Sequence, residues 1–271
     1  HNINNKLFKE GPLAFRMRPH NFEEFVGQSH LLDDGKPISR IINAKHLPSL
    51  IFWGPPGSGK TTLAYLLTKS LKITLFEISA VSANTEEIRK HINDAKSYLL
   101  SHTNKYVIFI DEIHRFNKTQ QDVLLPHVES GLLTIIGATT ENPGYTVNDA
   151  LVSRSTVFHL EPLDACDIST LLLRAIKNPL GFGSLDLTVN ENALDHLANR
   201  ADGDARAALT ALEIAVLSTP SGKITLDIAR QAMQQKSLRY DKSASGHYDH
   251  ASAFIKSMRA SDVNGALYWL A

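Results

Sequence analysis

The chain has 271 residues, of which 43% are hydrophobic and 21% charged, so it holds apolar material for a sizeable core in one or two domains and too much for a disordered chain. Lys plus Arg (28) equals Asp plus Glu (28), which excludes a basic DNA-coating protein but not a local basic strip. The single cysteine, Cys166, excludes a disulfide framework and a Cys-based zinc site, and no apolar run spans a bilayer. With no signal-peptide pattern at the start, the composition reads as a soluble intracellular protein in a reducing compartment. The chain begins at His1 rather than Met and stops at Ala271 within an apolar stretch, so it is expected to be a fragment whose parent continues.

Residues 36–46 place Ile38, Ile41 and Ile42 at helical spacing. Ser49-Leu50-Ile51-Phe52-Trp53 is a short apolar strand that breaks into Gly54-Pro55-Pro56-Gly57. Helical period returns over 61–71, and a second strand is expected over 73–78. Asn84, with Glu87 three residues later, marks the start of a helix reaching about Leu100. Tyr106 to Ile110 is a buried strand ending in Asp111-Glu112, and further strands are expected over 132–139 and 156–160. Strands alternating with helices predict a parallel sheet covered on both faces, with ligands at the strands' carboxyl ends.

After Pro162 the pattern changes. Amphipathic helices are predicted over 164–177, 190–200, 204–218 and 225–235, a small all-helical domain. From Ser237 to Gly246 the chain is polar and reads as a linker, and residues 249–259 and 261–271 begin something helical, with Ser261-Asp262 as a cap. The expected organisation is an α/β domain over 1–162, a helical lid over 163–236, and a linker with the start of a further helical region over 237–271.

Gly54-Pro55-Pro56-Gly57-Ser58-Gly59-Lys60-Thr61 fits G-x-x-x-x-G-K-[ST] between a strand and a helix, and the expected binding set runs on to Thr62. Glycines let backbone N–H groups curl around phosphates, and the helix N-terminus adds partial positive charge. Lys60 is expected on the β and γ phosphates of ATP, and the Thr61 hydroxyl on Mg²⁺. Asp111 sits where a Walker-B aspartate would bind Mg²⁺ through water, and Glu112 is placed to deprotonate the attacking water. A binding-only switch would not need that glutamate.

This pair of motifs followed by a helical lid resembles an AAA+ ATPase. The resemblance implies that Arg18-Pro19, Phe22, Phe25, Val26-Gly27-Gln28 and His30-Leu31-Leu32 belong to the segment that cradles adenine, with Arg18, Val26 and Gly27 among the nucleotide contacts. It places Thr140 at sensor 1 and makes Arg154, in Ser153-Arg154-Ser155, the arginine that reaches a neighbour's ATP. Gly203-Asp204-Ala205-Arg206 then resembles sensor 2. The third residue of the Ser-Arg element is Ser rather than Cys, which leaves the arginine untouched.

Within AAA+ proteins the chain resembles the replication-associated recombination protein A family, related to Werner-helicase-interacting proteins. The stretches that carry this are Asp111-Glu112-Ile113-His114-Arg115-Phe116-Asn117-Lys118 with Gln120-Gln121-Asp122, Gly137 to Pro143, and His247-Tyr248-Asp249 with Ser252 to Ser257. The resemblance implies an enzyme hydrolysing ATP with Mg²⁺ at stalled or gapped replication forks. It also implies a cytoplasmic, nucleoid-associated location, DNA and single-stranded-DNA-binding protein as partners, and a homo-oligomer, tetrameric in the full-length family. Two alternatives stay open: a clamp-loader or Holliday-junction branch-migration relative, and a non-catalytic ATP-loaded scaffold.

Other residues carry less. Arg89, Lys90 and Lys96, with Arg115 and Lys118, are candidates for a DNA-tracking strip, although a charged helix face is more often simply solvated. His114, just after the Walker-B pair, is a candidate to sense nucleotide or DNA but reads first as a packing or solvated residue, His247-x-x-His250 lacks companion ligands, and Cys166 has no nearby base.

Overall fold

A computed structural model of the chain describes residues 11–101 and 105–241, with side chains as far as residue 234. The expected helices over 249–259 and 261–271, the Ser261-Asp262 cap and the His247/His250 pair lie outside the described residues. No helix among the described residues is long and apolar enough to cross a membrane.

Three short or medium helices, α1 (Leu13–Arg16), α2 (Ser29–Leu32) and α3 (Pro37–Ala44), precede the sheet. Pro37 suits the first turn of α3, where a backbone N–H would lack a partner anyway. Then β1 (Leu50–Trp53), α4 (Lys60–Ser70), β2 (Leu75–Ser79), α5 (Thr85–Ser101), β3 (Val107–Asp111), α6 (Lys118–Glu129) and β4 (Thr134–Thr139) alternate. Two four-residue helices, α7 (Pro143–Thr146) and α8 (Asp149–Val152), lead into β5 (Thr156–His159). The sheet is wholly parallel in the order β2-β3-β4-β1-β5, so β1, with its phosphate-type loop, lies beside β4 and one strand removed from β3.

Strand β3 shows why this sheet is covered on both sides. Val107 and Phe109 join Phe52, Leu63, Leu67 and Ile136 on one face, while Ile108 and Ile110 join Ile51, Ile88 and Ile92 on the other. Each of these side chains, at most 4% exposed, contributes about 1.5–3 kcal/mol through burial. The Asn84 cap holds as expected, with its Oδ1 accepting from the Glu87 backbone N–H at 2.9 Å.

Helix α6 is an element the sequence reading passed over. It opens with a capping box in which Asn117 accepts from Gln120 N–H and Gln120 Oε1 accepts from Asn117 N–H, each at 2.9 Å. Its inward face includes buried Gln120 and Gln121, whose side-chain amides donate to backbone carbonyls of Ala83 and Phe116.

The helical layer consists of α9 (Ala165–Lys177), α10 (Glu191–Arg200), α11 (Ala205–Leu217) and α12 (Leu226–Asp241). A two-residue parallel pair, β6 (Thr188–Val189) with β7 (Lys223–Ile224), adds a short strand contact to what the sequence presents as purely helical. Helix α12 runs to Asp241, past Ser237 where a linker was expected to begin.

The amino-terminal α1 packs on this lid rather than on the sheet. Leu13 and Met17 belong to the lid core with Leu172, Leu197 and Leu212. Arg16, 8% exposed, donates from Nε to the Gly11 carbonyl and from Nη1 to the Leu180 and Gly181 carbonyls, and its Nη2 lies 3.5 Å from Glu213 Oε1. Arg174 Nη2 ties the other end of the strap by donating to the Met17 carbonyl at 2.7 Å.

Candidate active site

The loop after β1 is shaped by three glycines that no other residue could replace without movement. Gly54 (φ +152°) has the Leu160 carbonyl oxygen 2.2 Å from where a Cβ would lie. At Gly57 (φ +71°) that position is 2.0 Å from Asp204 Oδ1, so the loop touches the first cap of lid helix α11. At Gly59 (φ +100°) a Cβ would lie 2.8 Å from the Phe25 ring. The loop is therefore clamped between β5's exit, the lid and the segment ahead of α2.

Lys60 opens α4 and is 9% exposed. Its Nζ donates to the Gly54 and Pro55 carbonyls, each at 2.8 Å. Burial pushes its pKa below the ordinary lysine value, while the carboxylates of Glu112 and Asp111 pull it back towards the charged form. The lysine is thus held in the loop with two acidic groups close enough to matter.

A cleft of about 610 Å³ lies between this loop and the lid. Residues Pro56 to Thr62, Asp111, Glu112 and Thr140 form its polar wall. Met17, Val26, Leu163, Leu171 and Leu209 add an apolar lining suited to a planar base, and Arg18 and Arg206 line the same cleft. The Arg18 guanidinium lies over the Phe15 ring at 5.0 Å from the centroid.

The acids sit at the carboxyl end of β3. Asp111 ends the strand, and Glu112 adopts the left-handed conformation (φ 55°, ψ 46°), which costs a non-glycine residue about 1–3 kcal/mol. This turn aims the Glu112 carboxylate back towards β4, where its Oε2 lies 3.2 Å from His114 Nδ1. Thr140 follows the last residue of β4 and is exposed on the cleft, whereas its neighbour Thr139 is fully buried. Arg206 occupies the second position of α11, whose cap Asp204 accepts from the Ala207 N–H at 2.9 Å.

Not every expected residue lines the cleft. Phe22, Gly27, Gln28 and His30, expected in the adenine-cradling segment, instead border a separate cavity of about 690 Å³ with Glu161 and Asp167. Gln28 is 6% exposed and works as a clamp, its Nε2 donating to the Glu161 carbonyl at 2.7 Å and its Oε1 accepting from Glu161 N–H at 2.9 Å. Gly54 and Pro55 underlie Lys60 rather than facing the cleft. Arg154 is absent from the cleft lining altogether; after α8 its Nη2 pairs with Glu129 Oε1 at 2.6 Å, both side chains about two-fifths exposed. Sequence reasoning missed Met17, Thr210 and Glu213 on the cleft wall, because their contacts join segments nearly 200 residues apart, as in Leu13 N–H to Glu213 Oε1 at 2.9 Å.

A phosphate loop after β1, a paired acid at the end of β3 and a helical lid on the same cleft define a P-loop ATPase of the AAA class. Residues 50–162 match the ATPase family associated with various cellular activities (AAA), and residues 183–259 match the AAA C-terminal domain. The chain thus matches both parts of an AAA-type ATPase and is similar over nearly its whole length to replication-associated recombination protein A. It is 44% identical to replication-associated recombination protein A of Haemophilus influenzae over 96% of its own length and 59% of that protein's, and 42% identical to that of Bacillus subtilis over 96% and 62%. The chain therefore spans about three-fifths of the length of these curated relatives. It is also 37% identical to the ATPase WRNIP1 of Dictyostelium discoideum, of which it covers 33%. Among solved structures, the Holliday junction branch migration motor RuvB of Thermotoga maritima is similar in fold, with a TM-score of 0.64 at 25% identity over 90% of this chain and 79% of that one.

Proposed function

We propose that the cleft hydrolyses ATP to ADP and phosphate with Mg²⁺, and that the movement this drives serves DNA transactions at replication forks. The observation that carries the reading is the convergence of Lys60, Thr61, Asp111, Glu112 and Thr140 on one cleft that Leu163, Leu171, Arg206 and Leu209 of the lid also line. In this reading residues 1–162 form the ATPase unit, 163–236 the lid, and 237–271 lead into a further region.

Thr61 and Asp111 offer two hard oxygen donors, and among the described residues no group of three or more His, Cys, Asp or Glu could hold a metal unaided. That donor set fits Mg²⁺, which binds through one or two protein oxygens and completes its shell with water and phosphate oxygens. When bound, Mg²⁺ would supply neutralisation of the phosphate charge. Loop amides and Lys60 hold the phosphates, and the Glu112 carboxylate accepts the proton of the water that attacks the γ-phosphorus as its bond to the β-γ bridging oxygen breaks. Thr140 contacts the γ-phosphate from just beyond β4, and Arg206 contacts it from the lid, so nucleotide state biases the angle between lid and sheet.

Arg154 lies outside its own chain's cleft, which supports a role in trans: it exchanges Glu129 for a neighbour's γ-phosphate in a homo-oligomer. The fork-directed task rests on the similarity to replication-associated recombination protein A. Arg89, Lys90, Lys96, Arg115 and Lys118 are all exposed, but α5 also exposes Glu86, Glu87 and Asp94, so the strip is mixed in sign and would add salt-dependent phosphate contacts without sequence information. The test is ATP binding and turnover by Glu112→Gln, with and without a primer–template junction. Binding retained and turnover lost is the expected result; turnover like the parent's would refute the assignment.

A further inference from the structure

We infer that His114 is the positioning residue that orients the Glu112 carboxylate and ties it to the sensor end of β4, an inference that rests on Glu112 being the base proposed above. The His114 side chain is 6% exposed and belongs to the 3-10 turn Ile113–Arg115, directly after the left-handed Glu112. Its ring is surrounded by three groups from the carboxyl ends of β3 and β4. Nδ1 lies 3.2 Å from Glu112 Oε2 and 2.9 Å from Thr139 Oγ1, and Nε2 lies 3.6 Å from Glu141 Oε1.

The donor and acceptor roles follow from chemistry. An ionised carboxylate only accepts, so the Glu112 contact requires a hydrogen on Nδ1. The Thr139 hydroxyl donates to the Glu141 carbonyl at 3.2 Å and its oxygen accepts from Glu141 N–H at 3.0 Å. That leaves the Thr139 oxygen as a second acceptor for the same Nδ1–H, which is shared between β4 and Glu112. Thr139 has no exposure at all, and its register is fixed by pairing with Trp53 of β1. The ring is thus anchored on the rigid side, and Glu112 is the partner free to swing.

Thr140 lies between Thr139 and Glu141, both of which contact the ring, and is the residue that faces the cleft. Any shift of Thr140 towards a γ-phosphate moves His114 and, through Nδ1–H, the carboxylate of Glu112. The sensor strand and the base are therefore joined through one imidazole, and base orientation follows occupancy of the γ-phosphate position.

The experiment compares kcat and KM for ATP, nucleotide affinity and melting temperature for His114→Ala, His114→Asn and Glu112→Gln. Asparagine keeps an N–H donor near the place of Nδ1, whereas alanine removes it. His114→Ala is expected to lower kcat by about 30- to 100-fold, the cost of a base misplaced by about 1 Å, with KM and nucleotide affinity within about threefold of the parent. His114→Asn is expected to recover at least tenfold of that loss. Parent-like kcat in His114→Ala, or equal impairment of the Asn and Ala variants at equal melting temperatures, overturns the role of His114. Inactive Glu112→Gln beside fully active His114→Ala would remove only this inference, whereas active Glu112→Gln would remove the assignment of the base and this inference with it.

Discussion

Substituting Gly57 by alanine separates backbone strain from the contact between the phosphate loop and the lid. Gly57, Gly35 and Gly131 share almost the same backbone angle (φ +71°, +74° and +74°), but nothing lies within 4 Å of a Cβ at the latter two. Gly35→Ala and Gly131→Ala therefore measure the left-handed penalty alone, about 1–2 kcal/mol. At Gly57 a Cβ would also meet Asp204 Oδ1 at 2.0 Å and Asp204 Cα at 2.8 Å. The side chain cannot simply rotate away, because its Oδ1 caps α11 through Ala207 N–H at 2.9 Å, a cap worth about 1 kcal/mol. Overpacking against the Cα adds about 1–3 kcal/mol, so Gly57→Ala should cost about 3–6 kcal/mol against about 1–2 for the controls. Urea denaturation of the three variants reads the difference, and nucleotide affinity measured alongside should fall only for Gly57→Ala. Equal destabilisation of all three would refute the loop–lid contact.

The remaining predictions concern charge. Arg16→Ala should cost about 3–5 kcal/mol in the same denaturation assay, because it leaves Glu213 and the strap carbonyls without their buried partner. Glu129→Gln should shift stability by no more than about 1 kcal/mol, since its pair with Arg154 is solvent-accessible; a larger loss would show that Glu129 is structural. Burial lowers the folded-state pKa of His91, His127 and His196, so the unfolded state binds more protons below their ordinary value of 6.5. Stability should therefore be level just above that pH and decline as pH falls below it, less steeply in His91→Gln; an unchanged urea midpoint between pH 7 and pH 5 would contradict this.

Elements built from a continuous local signal were legible. All five sheet strands and the helices from α3 to α5 and α9 to α12 follow from apolar runs, helical spacing and caps such as Asn84. Helix α6 was not, because Pro126 interrupts it and its inward face carries Gln120 and Gln121, polar residues that only a tertiary backbone partner makes buried. The same division holds in the site. The phosphate loop and the Asp111-Glu112 pair are contiguous motifs, and the structure sets Lys60, Thr61, Asp111, Glu112, Thr140 and Arg206 around one cleft. His114 read as a packing residue because its partners Thr139 and Glu141 come from the neighbouring strand. The placing of α1 on the lid depends on Arg16 meeting Glu213, a contact with no local trace in the chain.

The central claim is that one protomer's Glu112 and another's Arg154 complete the same hydrolytic site. It is tested most directly by mixing Glu112→Gln with Arg154→Ala and measuring ATP hydrolysis. Each variant alone should bind ATP without turning it over, and the mixture should regain a fraction of the parent rate, because some interfaces then pair an intact base with an intact arginine. Full activity in Arg154→Ala alone, or a mixture as inactive as its components while still assembling, would contradict the account.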